Sequence, residues 1–385
     1  MVLNKLDRAP PHYFGAGPAL LPTEVLQQAA VELIQYQNLG IGLGEMSHRS
    51  SQAIDIINTT KQKVTQLLDV PDTHEVFFAQ GGGTGGFAAV AGNLLAAHAH
   101  KTGKKGVANY IVTGSWSQKA AEEAERLGAD VNIVVDARKF TPNGKYGVIP
   151  AQSDWKFTPN AEDIAYVYYC DNETVGGVEF HAPPEVPEGV ELVADMSSNF
   201  LSKPVDVSKF GLIFGGAQKN IGIAGISLYI IKKSLLQHAS LEQLRQLQVP
   251  IIPIFLDFPT LVKNNSAYNT LSIFALRIVQ LNVEHLLAKG GLKAQGEESK
   301  RKAAKIYALL DKHPEIYKSP VAPTARSNMN IVFTIPGDGK EETFIKEAAI
   351  WGLTGLKGHR SVGGIRVSNC KSTGDVLPPA AGAPP

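Results

Sequence analysis

Glu75-Val-Phe-Phe-Ala79, followed by Gln80-Gly-Gly-Gly-Thr84-Gly-Gly86 and an alanine-rich run to Ala99, reads as an apolar strand, a glycine loop and a helix in unbroken succession. That order is half of a βαβ unit, in which a buried strand feeds a helix lying back over the sheet. The loop aims backbone N–H groups and the positive end of the helix at one point, a site for an anion such as a phosphate. It also matches G-x-G-x-x-G, but the dinucleotide fingerprint needs an acidic residue about 20 positions on, and none stands between Glu75 and Glu122. A nicotinamide enzyme therefore fits poorly, and without a terminal Gly-Lys-Ser/Thr the loop is not a nucleotide P-loop.

Outward from this stretch the pattern repeats. Strands are expected at Val107 to Thr113, Val131 to Asp136, Ala165 to Tyr169, Glu191 to Ala194, Leu212 to Phe214 and Ile226 to Ile231, each followed by a Gly, Asn, Asp or Ser group. Several are apolar throughout, as strands covered on both faces should be. Helices are expected at Glu24 to Tyr36, Ser51 to Leu68, Thr84 to Ala99, Gln118 to Leu127 and Thr158 to Ile164. The fold class is α/β, with a mostly parallel seven-stranded sheet covered by helices in a large domain spanning 17–262. After Pro259 the texture changes to amphipathic helices at Ile273 to Leu287 and Glu297 to Leu310, a strand at Met329 to Thr334 and a helix at Glu341 to Trp351. These predict a smaller α+β domain, 1–16 with 263–368. The Pro/Ala-rich end, 369–385, is expected to be disordered because it cannot offset its ordering entropy.

Composition narrows the function. The chain has 385 residues, 44% hydrophobic, with 37 Lys plus Arg against 36 Asp plus Glu. This near balance lacks the electrostatic footprint of nucleic-acid or anionic-membrane binding, so small-molecule partners are expected. No apolar run reaches the roughly 18 residues of a membrane span, the best, Val249 to Phe258, being broken by Pro250, Pro253 and Asp257. The N-terminal stretch has no apolar signal core, and Cys170 and Cys370 form no framework, so a reducing cytoplasmic setting is expected.

Ala194-Asp195-Met-Ser-Ser198 ends one strand with an acid, and Gly216-Ala-Gln218-Lys219-Asn220 follows the next. In an open parallel sheet the carboxyl ends of the strands hold the ligand, so the acid, the lysine and the glycine loop converge on one crevice. Pyridoxal 5'-phosphate needs that set: an amine to bond its aldehyde, an acid to keep its pyridine nitrogen protonated, and N–H donors for its phosphate. Trp116, just past another strand, could stack on the ring, and Thr174 could bond its phenolic oxygen. His48-Arg49 and His359-Arg360, with Arg366, are glycine-flexed cation groups whose planar guanidinium ions suit a substrate with two anionic ends. Each residue alone has an ordinary structural explanation; the ordered set has none as simple. His98-Ala-His100 lacks a third ligand, and no metal site is expected.

These residues resemble the phosphoserine aminotransferase family of fold-type I pyridoxal-phosphate enzymes, class V. The resemblance runs from Tyr13-Phe-Gly-Ala-Gly-Pro18 to Gly364-Ile-Arg366 and is strongest at Met46-Ser-His-Arg-Ser-Ser51, Gln80-Gly-Gly-Gly-Thr84, Asn172-Glu-Thr-Val-Gly-Gly-Val-Glu179, Ala194-Asp-Met-Ser-Ser198, Gly216-Ala-Gln-Lys-Asn220, Asn264-Asn-Ser-Ala-Tyr-Asn-Thr270 and Gly355 to Arg366. It implies that Lys219 and Asp195 are catalytic, the lysine bonding the cofactor and the acid pairing with the pyridinium. It places Gly83, Thr84 and Gln218 at the cofactor phosphate, joined by Asn269 and Thr270 from the other subunit of a homodimer. Trp116 then stacks on the ring and Thr174 meets the phenolic oxygen. Arg366 would take the substrate α-carboxylate, and His48, Arg49, His359 and Arg360 the phosphate of phosphoserine or the distal carboxylate of glutamate. The implied reaction moves an amino group from L-glutamate to 3-phosphohydroxypyruvate, in L-serine biosynthesis. Relatives continue past Arg366 with a helix, whereas here the sequence turns Pro-rich; the alternative expectation is a chain that binds cofactor but turns over poorly. A desulfurase would need a reactive cysteine on a loop, which Cys170, at the end of a buried strand, does not offer.

Overall fold

The computed structural model describes residues 12–370. In chain order the elements are α1 (Thr23–Ile34), α2 (Ser51–Leu68), β1 (His74–Gln80), α3 (Gly83–Thr102), β2 (Val107–Val112), α4 (Ser115–Arg126), β3 (Asp130–Asp136), β4 (Ile164–Cys170), the short pair β5 (Asn172–Glu173) and β6 (Val178–Glu179), β7 (Leu192–Asp195), β8 (Leu212–Gly216), β9 (Ile226–Lys232), α5 (Leu241–Gln246), α6 (Phe258–Lys263), α7 (Ile273–Ala288), α8 (Gly291–Lys312), β10 (Asn330–Phe333), α9 (Lys340–Ile350) and β11 (Ile365–Ser368).

Seven strands form one sheet in the order β1-β9-β8-β7-β4-β2-β3. The pairs β8–β7, β7–β4, β4–β2 and β2–β3 are parallel, and β9 runs antiparallel to both its neighbours. Six strands therefore share one direction, and their carboxyl ends lie along one rim.

Side-chain alternation divides the strands between two cores. Val76, Phe78, Val167, Tyr169, Ile213 and Leu228 face one way, onto α2 and α7. Phe77, Tyr166, Tyr168, Phe214 and Tyr229 face the other, onto α3 and α4. Helix α3 is buried nearly all round, which is why its sequence is alanine-rich rather than striped. Helix α7, expected by sequence in the smaller unit, joins the first core through Leu276, Val279 and Val283. A separate cluster of Phe14, Ala303, Leu310, Ile331, Phe333 and Ile365 holds α8, α9 and the antiparallel β10–β11 pair.

The helix expected at Thr158 to Ile164 is absent. Only a three-residue 3-10 turn, Ala161–Asp163, precedes β4, and Ile164 already belongs to the strand. Pro159 and the short run between Trp155 and β4 leave no room for hydrogen-bonded helical turns. Of the end expected to be disordered, Asn369 and Cys370 are buried, the Asn369 side chain donating to the carbonyls of Ser299 and Asn328 at 2.8 and 2.9 Å; the remainder, 371–385, lies outside the described residues. No helix among the described residues is long and apolar enough to cross a membrane.

Candidate active site

Five loops leave the carboxyl ends of β1, β2, β4, β7 and β8 on the same rim, and between them lies a cavity of about 100 Å³. Gly83, Thr84, Trp116, Thr174, Asp195, Gln218 and Lys219 all line it. Topology explains the convergence: each residue stands within a few positions of the end of a strand, and parallel strands bring those ends together.

Asp195 closes β7 and is 4% exposed. Its Oδ1 accepts from the Ser197 backbone N–H at 2.8 Å and the Ser197 hydroxyl at 2.6 Å, and its Oδ2 accepts from the Tyr168 hydroxyl at 3.3 Å. Burial pushes its pKa up, against the lowering effect of the Ser197 bonds and the Lys219 charge. A carboxylate held in so dry a place gains strongly from a cationic N–H partner, as a protonated pyridine nitrogen would be.

Lys219 follows β8, and its Nζ donates to Thr174 Oγ1 at 2.7 Å. Burial pulls its pKa below the ordinary lysine value, with Asp195 acting in the opposite direction. The neutral amine, the form that attacks an aldehyde or accepts a proton, is correspondingly easier to populate.

At the other wall α3 begins at Gly83 with no side chain capping it. Its N-cap, Gly82, has φ +120°, a conformation glycine adopts freely. First-turn N–H groups thus face the cavity, where a phosphate suits both the donors and the helix dipole. Trp116 forms a side wall 6.5 Å from the Phe87 ring, its indole Nε1 buried without a hydrogen-bond partner.

The cations expected to meet the substrate are distributed more loosely. Arg366 sits on β11 opposite Val332, donates to the Thr174 carbonyl at 3.4 Å and keeps a buried Nε with no partner. His359 is half-buried; burial, then the charges of Arg366, Arg360 and Lys119, lower its pKa. Arg360 is exposed. His48 and Arg49 stand on the loop before α2, Arg49 exposed, and neither lines the cavity. Asn269 and Thr270 are exposed and also outside it, the Thr270 carbonyl accepting from Gln80 Nε2 at 2.7 Å.

The class-V aminotransferase profile matches residues 12–370. The chain belongs to the class-V aminotransferase family. This aminotransferase is 52% identical over 372 residues to the phosphoserine aminotransferase of Saccharomyces cerevisiae, covering 94% of this chain and 93% of that one. With the Pseudomonas aeruginosa phosphoserine aminotransferase it shares 41% over 355 residues, 92% and 91% of the two chains. Among solved structures, the pyridoxal-phosphate-bound phosphoserine aminotransferase of Trichomonas vaginalis superposes with a TM-score of 0.83 at 35% identity, over 94% of this chain and 96% of that one.

Sequence reasoning left several cavity residues of this class-V aminotransferase unassigned. Cys170, Asn172, Ser197 and Ser198 line it, and Glu173 lies just behind it. Glu173 carries the signal that exposed Asp195, an acid soon after an all-apolar strand. Cys170 lies nearer the site than its strand position suggested, but burial drives its thiol pKa far up and its Sγ–H donates to the Asn172 carbonyl at 3.3 Å. It is not a reactive thiolate.

Proposed function

We propose that this protein transfers the amino group of L-glutamate to 3-phosphohydroxypyruvate, giving O-phospho-L-serine and 2-oxoglutarate. The enzyme is a pyridoxal-phosphate-dependent transaminase with phosphoserine aminotransferases as relatives at 40 to 52% identity over most of its length. The observation that carries the assignment is the juxtaposition, in one cavity, of a buried carboxylate and a lysine amine bonded to Thr174.

When bound, pyridoxal phosphate supplies an aldehyde that takes up the amino group and a ring that accepts electrons from the substrate α-carbon. Asp195 would face the ring nitrogen and favour its protonated form, and Lys219 would supply both the amine that holds the aldehyde and the base that moves the substrate α-proton. The first turn of α3 at Gly83 and Thr84, with Gln218, would receive the phosphate, while Trp116 and Thr174 would meet the ring and its phenolic oxygen. Arg366 takes the α-carboxylate, and His48, Arg49, His359 and Arg360 take the phosphate or distal carboxylate.

A homodimer in a cytoplasmic setting belongs to the same proposal, with Asn269 and Thr270 reaching the phosphate of the neighbouring site. Their exposure, and that of the apolar Ile251, Ile254, Phe255 and Tyr268 in the same stretch of chain, supports it. The division into a large domain, 17–262, and a small one, 1–16 with 263–368, belongs to the same proposal; residues 1–11 lie outside the described residues, and α7 packs on the large core. The impaired-enzyme alternative has no support among the described residues: Arg366 lies on a paired strand whose Ile365 and Val367 are buried.

The test is the visible spectrum of the cofactor-loaded protein. Bleaching by glutamate and recovery with 3-phosphohydroxypyruvate, absent in Lys219→Ala, is the expected result; indifference to both substrates sinks the assignment.

A further inference from the structure

Helix α4 is capped only in part from within: Ser117 Oγ accepts from the Thr113 and Gly114 N–H groups at 3.1 and 3.2 Å. Its N-cap, Gly114, has no side chain to meet the N–H groups of Trp116 and Ser117, and this turn is largely buried. The partner comes from β5, just past β4, the strand that neighbours β2 in the sheet. Glu173 Oε2 accepts from the Trp116 N–H at 2.9 Å, and Oε1 accepts from the Ser117 N–H at 2.8 Å and the Ser117 hydroxyl at 2.6 Å. Glu173 is 0% exposed, and its carboxylate meets the positive end of the helix where its desolvation is best offset. Gly114 makes the space: a Cβ there would lie 2.2 Å from Glu173 Cδ. With φ at −169°, Gly114 has backbone any residue adopts, so the carboxylate, not the turn, excludes a side chain.

The neighbours of Glu173 are tied just as firmly. Asn172 Nδ2 donates to Ser198 Oγ at 2.6 Å and to Asn330 Oδ1 at 2.8 Å, reaching β10. Thr174 accepts from Lys219 and, through its carbonyl, from Arg366. One tripeptide thus holds the lysine, the hairpin bearing Arg366 and the helix bearing Trp116.

We propose that Glu173 is a positioning residue of this active site: by binding the Trp116 and Ser117 N–H groups it fixes the indole at a set distance from Thr174 and Lys219 across the cofactor cavity. It touches neither substrate nor cofactor and acts through Trp116. The inference rests on the assignment of Trp116 as a wall of the cofactor site.

Full-length wild type is compared with Glu173→Gln, which keeps the size but turns an NH2 toward N–H donors, with Glu173→Asp, and with Gly114→Ala, which displaces an unaltered Glu173. In the cofactor-free protein, amide exchange of 115–117 is expected to be protected in wild type and about tenfold or more faster in Glu173→Gln and Gly114→Ala, with the core unchanged. Loaded with pyridoxal phosphate, both should show altered visible circular dichroism and a kcat about tenfold or more lower with KM within about threefold, and Glu173→Asp should recover part of each. Fast exchange at Trp116 and Ser117 in wild type would overturn the proposal without any variant. So would unchanged dichroism and kcat in folded variants, or losses that merely follow the folded fraction. Wild type that holds cofactor but does not respond to glutamate would instead count against the transaminase assignment, leaving the exchange and dichroism to judge Glu173.

Discussion

The floor of the cavity and its rim are built in different ways. On the floor, Asp195, Thr174 and Lys219 stand at the ends of adjoining buried strands, and their hydrogen bonds run between 2.6 and 3.3 Å. On the rim, Arg49 and Arg360 are exposed on loops, and Arg366 reaches the floor only by a 3.4 Å bond. Chemistry that moves protons needs atoms fixed beforehand, since a small displacement costs far more than weakened binding. Recognition of a charged substrate tolerates groups that settle as it arrives.

That contrast can be broken by substitution. Lys219→Ala should lower kcat the most, by about 10³- to 10⁴-fold, because it removes the amine proposed to bond the cofactor and to serve as the base; single-turnover kinetics measure it. Asp195→Asn should follow, with about 10²- to 10³-fold lost in kcat and little change in KM, since it removes a preorganised charge from a dry site. If its effect fell on KM instead, the floor would not be the preorganised part.

Arg366→Lys, between floor and rim, should raise KM for both substrates by about 10- to 100-fold, as one ammonium replaces a bidentate fork. Arg360→Ala should change KM only about two- to fivefold, and less at high salt, because an exposed charge is screened. A larger effect, insensitive to salt, would mean the rim is as dry as the floor.

The smallest effect sharpens the rim. His359 is held below the usual imidazole value by burial and by Arg366, Arg360 and Lys119, so in the free enzyme it gains its proton at lower pH than an ordinary imidazole does. A bound dianion favours the protonated ring. Inhibition by sulfate, whose own charge is constant, should therefore tighten about two- to threefold as the pH falls from about 7.5 to about 5.5, and His359→Asn should abolish the slope.

Legibility differed between the two regions as well. Glycine loop, strand-end acid and lysine were all visible in the sequence, because parallel topology alone brings strand ends together. The rim was not: nothing in the spacing of His359, Arg360 and Arg366 said which would be exposed. The helix expected at Thr158 to Ile164 is a three-residue turn: such a turn and a helix start share the same polar residues, and only the length of chain between Trp155 and β4 decides between them. Glu173 lies within the Asn172 to Glu179 motif, but its role is invisible in the sequence because its partners at Trp116 and Ser117 are 57 and 56 positions away.

By itself, the sequence determined the α/β class, the alternation of strands and helices, and the residues that converge at the strand ends, all consequences of local periodicity and of a fixed handedness of connection. Tertiary structure alone decided that α7 belongs with the large core, that β9 runs against its neighbours, and that Glu173, after β4, caps the helix that follows the neighbouring strand β2. Those outcomes depend on which surfaces meet and how much water leaves between them, quantities that no short stretch of chain contains.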